Sequence, residues 1–190
     1  MTLQALKIAF SLLTRIPVRL PEELDPRAWG RAVVFYPVVG LVIGGVLAGA
    51  ALAAEALNWN PGVAAVPVLL LWVGLTGAFH LDGLADSADA WLGGYGDRER
   101  TLRIMKDPAC GPAGAVALIL VLMTKWTALG PVLTAGQWPV LLLVPVLARA
   151  AVAGLFLALP CAVDEGLVRR AWEQLPRNEV AVAIAVSALA

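Results

Sequence analysis

Residues Val33 to Leu57 read VVFYPVVGLVIGGVLAGAALAAEAL, with one charged side chain, Glu55, in the whole stretch. Wound as an α-helix, it extends about 37 Å, enough to cross the roughly 30 Å of hydrocarbon in a bilayer. Three more segments have the same character: Val63 to His80, Ala113 to Thr134 and Pro139 to Leu159. A fifth apolar run, Val180 to Ala190, covers about 16 Å, half a bilayer, before the sequence ends.

Composition supports the membrane reading. The chain is 60% hydrophobic and 15% charged, with a mean hydropathy of +0.81. A soluble domain carries about 25% charged residues, so much of this surface is expected to meet lipid. Fourteen Lys and Arg balance fourteen Asp and Glu, which leaves no basic excess to recruit nucleic acid. Cys110 and Cys161 stand apart, with no CxxC pair or Cys/His cluster to hold zinc or iron–sulfur, and read as small buried hydrophobes. The N-terminal MTLQALKIAFSLLTRIPVRL lacks a small-residue cleavage site and reads as an amphipathic interfacial helix.

Lys and Arg outside the spans fix an orientation. Five precede the first span (Lys7, Arg15, Arg19, Arg27, Arg31) and none lies near residues 58–62. Four follow between Leu81 and Pro112 (Arg98, Arg100, Arg103, Lys106), none near 135–138, and three between Pro160 and Asn178 (Arg169, Arg170, Arg177). This strict alternation predicts that the N-terminus, the 81–112 loop and the 160–178 segment face the cytoplasm. The fold class expected is therefore all-α. Residues 1–190 form one integral-membrane bundle in a lipid bilayer, with about four full spans, a partial fifth and an N-terminal interfacial helix. Within the first span, Gly40 with Gly44, and Gly45 with Gly49, have the small-xxx-small spacing that lets helix backbones approach, though ordinary enrichment of glycine in membrane helices would give the same pattern; a homo-oligomer is kept among the partners.

The chemistry concentrates in Phe79-His80-Leu81-Asp82-Gly83-Leu84-Ala85-Asp86-Ser87-Ala88-Asp89. On a helix, Asp86 lies about 40° to one side of Asp82 and Asp89 about 20° to the other, so three carboxylates share one face. Like charges that close need a cation, and hard oxygen ligands without nitrogen or sulfur suit Mg²⁺, which commonly bridges carboxylates to phosphates. A solvated acidic loop would look similar. The interleaved Leu81, Leu84, Ala85, Ala88 and Trp91, however, make this an amphipathic helix at the exit of a span. His80, the only histidine, would point about 160° away from Asp82 on a continuous helix; a break at Gly83 would change that.

Downstream, Gly93-Gly94-Tyr95-Gly96 reads as a turn and Asp97 as the N-cap of a short helix. Arg100, Arg103 and Lys106 recur at a spacing of three, a cationic row suited to a diphosphate or equally to a solvated helix or anionic lipid. Lys125 and Arg149 lie inside apolar spans, where a charge needs an acid, a substrate or a route to the interface.

Four stretches resemble the cobalamin synthase family, the membrane-bound adenosylcobinamide-GDP ribazoletransferases. They are Leu13-Thr14-Arg15-Ile16-Pro17-Val18, Phe35-Tyr36-Pro37-Val38-Val39-Gly40, the Gly77 to Asp89 segment and Arg103-Ile104-Met105-Lys106-Asp107; Glu165-Gly166-Leu167 adds a further likeness. The resemblance implies a transferase of the prokaryotic cell membrane. The ribosyl hydroxyl of α-ribazole, or of its 5′-phosphate, attacks the phosphate of adenosylcobinamide-GDP with Mg²⁺ and releases GMP. It implies Asp82, Asp86 and Asp89 as metal-binding and catalytic, His80 as a candidate proton acceptor, and Arg15, Arg100, Arg103, Lys106 and Asp107 as substrate-binding. The family is usually longer, with further spans and a GGxTGDxxGA motif that does not occur here, so the resemblance is to a shortened member. Two other readings share features with this one. A CDP-alcohol phosphotransferase would match Asp82-Gly83-Leu84-Ala85 but needs an arginine where Asp86 stands, and a cation-binding transport module would place more ionisable groups deep in several spans.

Overall fold

The computed structural model describes residues 2–189. These form ten α-helices and one 3-10 turn, with no strand among them. They fall into two compact units, residues 1–59 with 136–190, and residues 60–135.

The first unit contains α1 (Thr2–Leu13), α2 (Pro26–Ala32), α3 (Tyr36–Ala56), α8 (Trp138–Ala158), α9 (Leu167–Glu173) and α10 (Arg177–Leu189). Its centre is the α3–α8 pair. A Cβ added to Gly40 would sit 2.5 Å from the Pro145 carbonyl oxygen, and one on Gly44 2.6 Å from that of Leu142. The two backbones therefore pack in direct contact, and only hydrogen fits at those positions. Gly45 and Gly49 face open space. Of the two small-residue pairs in the sequence, one makes the helix contact and the other is ordinary membrane-helix glycine. The Tyr36 ring meets Phe156 edge-on at 6.2 Å, farther along the same pair.

Around this pair the chain is held by local signals. Asp25 accepts the Arg27 N–H at 2.8 Å and caps α2, with Pro26 in the first turn. Ala5, Ile8, Ala9 and Leu13 of α1 are buried, so one face of the expected interfacial helix is covered by protein, largely by α2. Thr14 ends that helix: its hydroxyl donates to Phe10 O at 2.8 Å and accepts Ile16 N–H at 3.2 Å. Gly166 precedes α9 at φ +101°, a backbone region that favours glycine. In α9, Glu173 accepts from Arg169 Nε at 2.7 Å and raises the arginine above its usual range.

The second unit contains α4 (Pro61–Thr76), α5 (Phe79–Gly94), α6 (Arg98–Ile104) and α7 (Pro112–Thr134), with α4 and α5 both packed on α7. Asn60 caps α4 by accepting the Gly62 N–H at 2.9 Å. Lys125 of α7 places its ammonium 4.3 Å from the centre of the Trp72 ring on α4, so an aromatic face helps to accommodate that charge.

Among the described residues, three helical runs are long and apolar enough to cross a membrane: Pro26–Ala56, Pro112–Thr134 and Trp138–Ala158. The expected span from Val63 to His80 is not one continuous helix. Its helix stops at Thr76 after 16 residues, about 24 Å, and only the pair of α4 with α5, bent by 85°, makes a fourth candidate. The cysteines also depart from expectation. Cys110 is exposed and Cys161 half-buried, because each lies in a segment between helices rather than on a packed face.

Candidate active site

The acidic motif owes its position to the bend. Gly77 N–H bonds to Gly74 O at 3.2 Å and Ala78 N–H to Val73 O at 3.3 Å, the paired bonds of a Schellman ending. Both residues are left-handed, Gly77 at φ 62° and Ala78 at φ 60°. Glycine adopts this freely; alanine does so at a cost of about 1 kcal/mol. Ala78 O then accepts Leu81 N–H at 2.8 Å and Asp82 N–H at 2.9 Å, starting α5 in the new direction. That helix runs through Gly83 without a break, so His80 stays on the side away from Asp82, exposed in the first turn.

The three aspartates do not share one environment. Asp82 is exposed in the first turn of α5, where the helix dipole favours a negative charge. Asp86 is half-buried one turn later. Neither carboxylate has a hydrogen-bond or ion-pair partner among the described residues. Asp89 is engaged on both oxygens: Oδ2 accepts Gly111 N–H at 2.7 Å and Oδ1 accepts Gly114 N–H at 2.9 Å. These are the N-cap and N3 positions of α7, so a carboxylate on α5 caps a neighbouring helix. A Cβ on either glycine would run into that carboxylate. The expected cluster of three metal-ready acids is not assembled, and among the described residues no group of three His, Cys, Asp or Glu could hold a metal ion. Two unpartnered carboxylates with hard oxygen donors do fit Mg²⁺, which is often held by one or two carboxylates together with water and substrate phosphate.

The end of α5 is closed by α6. Gly93 lies against Ile104 and Gly94 against Thr101, so the two glycines serve close packing within the helix. Tyr95 (φ 49°) and Gly96 (φ 81°) make the turn. Asp97 caps α6 as expected, accepting Glu99 N–H at 2.9 Å and Arg100 N–H at 3.2 Å. Arg100 lies 5.2 Å from the centre of the Tyr95 ring. Arg103 is exposed in the last turn, and Lys106 lies beyond the helix, so the expected row of three is two helical residues and one in the loop. Asp107 Oδ1 accepts Ala109 N–H at 3.0 Å in a turn of its own. Arg15 is exposed in the other unit, just after α1.

The sequence reading missed the partners of Asp89. The signal was Gly111-Pro112-Ala113-Gly114, a glycine followed by a proline at the first helical position, which marks a helix start. Nothing in that signal says which acid supplies the cap.

A family model described as cobalamin-5-phosphate synthase matches residues 5–190. The chain belongs to that family. It is 52% identical over 186 residues to an adenosylcobinamide-GDP ribazoletransferase of Pseudomonas paraeruginosa, covering 97% of this chain and 75% of the relative. Proteins of the same name from Stutzerimonas stutzeri and Pseudomonas aeruginosa are 49% and 48% identical, over 95% and 97% of this chain and 73% and 75% of theirs. The chain thus spans about three quarters of the length of these relatives. No solved structure matches it. Membership in the cobalamin-5-phosphate synthase family agrees with the all-helical membrane fold.

Proposed function

We propose that this chain joins adenosylcobinamide-GDP to α-ribazole or its 5′-phosphate at the cytoplasmic face of the cell membrane, with Asp82 and Asp86 as the metal-binding acids. The observation that carries the residue assignment is the division of labour on α5: two carboxylates without partners, and a third spent on capping α7.

In the reaction, the ribosyl hydroxyl oxygen bonds to the phosphorus that bears cobinamide. The bridging P–O bond breaks, GMP leaves with that oxygen, and the hydroxyl proton passes to a base. Mg²⁺ held by Asp82 and Asp86 would neutralise negative charge on the diphosphate. Asp89 sets the start of α7 against α5 and is a positioning residue in this scheme. Arg100, held beside Tyr95, and Arg103 present guanidinium groups suited to phosphate oxygens, with Lys106 and Asp107 in the loop that follows. Arg15, which the resemblance implies as substrate-binding, belongs to the first unit and is given no part in this site. His80, on the opposite side of α5 from Asp82, serves less directly as the proton acceptor than Asp82 or Asp86.

The alternation of Lys and Arg supports a cytoplasmic site, since the 81–112 segment is on the basic side. The test is formation of adenosylcobalamin from adenosylcobinamide-GDP and α-ribazole by membranes containing this 190-residue chain. A longer family member serves as the positive control. Product that requires added Mg²⁺ supports the reading. Absence of product from well-folded chain beside an active control would refute it for this chain.

A further inference from the structure

Helix α5 leaves α4 at a bend of 85°. α4 has 16 residues and rises about 24 Å, against the roughly 30 Å of hydrocarbon in a bilayer. A chain that enters at the Asn60 end is therefore still about 6 Å inside the far boundary when it turns. From there α5 runs close to the plane of the membrane. Interfacial helices lie at that depth, with one face about 5–10 Å into the boundary between headgroups and acyl chains.

The side chains of α5 are arranged for such a position. At 100° per residue, Trp91 lies about 180° around the helix from Asp82. Leu84, Ala88, Leu81 and Leu92 follow within the next 100° or so, which makes one apolar arc centred about 150° from the Asp82 and Asp86 pair. Helix α7 meets α5 on the flank between them, where Gly114 lies against Ala85 and Asp89. Both the arc and the acids are thereby left open. Trp91 is 82% exposed and Leu92 58%, and Tyr95, in the turn that ends the helix, is 82% exposed. Indole and phenol rings, apolar with one polar handle, favour the membrane interface over either water or hydrocarbon.

We propose that the Trp91 face of α5 is seated in the headgroup–acyl boundary of the bilayer, on the basic side of the membrane. The partner is the lipid surface itself. Lipid holds one side of the helix, α7 holds the flank, and the opposite side lifts Asp82 and Asp86 into water. The bend at Gly77 and Ala78 turns the chain out of its span into this position. The inference concerns the placement of the helix and stands apart from the transferase reading.

The test uses the full chain in phosphatidylcholine nanodiscs. Cys110→Ser and Cys161→Ser remove the native thiols, and Trp91→Cys, Leu92→Cys or Asp82→Cys then supplies one site for a nitroxide spin label. Labels at positions 91 and 92 are expected to collide more with oxygen, which concentrates among acyl chains, than with a water-soluble nickel complex. The label at position 82 should show the reverse. A label at 91 as open to the nickel complex as one at 82 would overturn the proposal, because α5 would then stand in water. A label at 91 shielded from both reagents would also overturn it, in favour of a protein segment covering that face. A second measurement needs no label. The wild type and Trp91→Phe are compared in discs of phosphatidylcholine brominated near the top of its acyl chains. The emission contributed by Trp91, taken as the difference between the two proteins, should be quenched by the brominated lipid. Undiminished Trp91 emission would count against the proposal. Both measurements report position and not turnover, so a chain that seats α5 in lipid but makes no product would sink the transferase reading alone.

Discussion

The carboxylate of Asp89 accepts the backbone N–H of Gly114 at 2.9 Å, joining two helices across 25 residues of chain. With the 2.7 Å bond from Gly111 it satisfies two of the orphan donors at the start of α7. One acid of the motif thereby becomes part of the frame that carries the other two.

Asp89→Ala is expected to destabilise the protein by about 2 kcal/mol, through loss of charge-assisted bonds to two amides. Asp89→Asn keeps one oxygen acceptor and should lose roughly half as much. Asp82→Asn and Asp86→Asn, whose carboxylates have no partners, should leave the unfolding midpoint nearly unchanged. Denaturant unfolding of the four variants in detergent checks the order.

Gly114→Ala should behave like Asp89→Ala, since the new methyl occupies the space of the capping carboxylate. Gly83→Ala is the contrast. Its Cβ meets nothing within 4 Å, and replacing glycine inside a helix should stabilise α5 by about 0.5–1 kcal/mol. Thermal unfolding of the two single variants reads opposite signs.

Gly44→Val should cost about 1–3 kcal/mol by forcing α3 away from α8. Gly45→Val, one residue on and facing open space, should change stability by less than about 0.5 kcal/mol. Equal losses at the two positions would show that α3 and α8 do not pack as described. The readout is again the unfolding midpoint, with the oligomeric state followed by size-exclusion chromatography.

Much of this was legible from sequence, and the physical reasons differ by feature. Hydrophobic length located α3, α7 and α8, because the bilayer constrains the length of a span so strongly. Asp97 was readable as a cap because its partners are two and three residues away. The bend between α4 and α5 was not: apolar residues continue through Gly77 and Ala78, and the break depends on two left-handed residues in succession. The role of Asp89 was hidden for another reason. Helical periodicity puts it on the face of Asp82 and Asp86, but its partners arrive from a helix more than twenty residues later, and periodicity carries no information about them. The same limit kept Gly40 and Gly45 indistinguishable until α8 was seen lying on one and not the other.

Whether Asp82 and Asp86 bind the metal while Asp89 positions α7 is decided by the Mg²⁺ dependence of transfer in three variants. Asp82→Asn, Asp86→Asn and Asp89→Asn would each be assayed in membranes well below its unfolding temperature. The first two are expected to lose activity at every Mg²⁺ concentration or to need much more of it. The third should keep the wild-type Mg²⁺ requirement at a reduced yield of folded enzyme. A wild-type rate and Mg²⁺ requirement in Asp82→Asn and Asp86→Asn, with the requirement shifted only in Asp89→Asn, would contradict it.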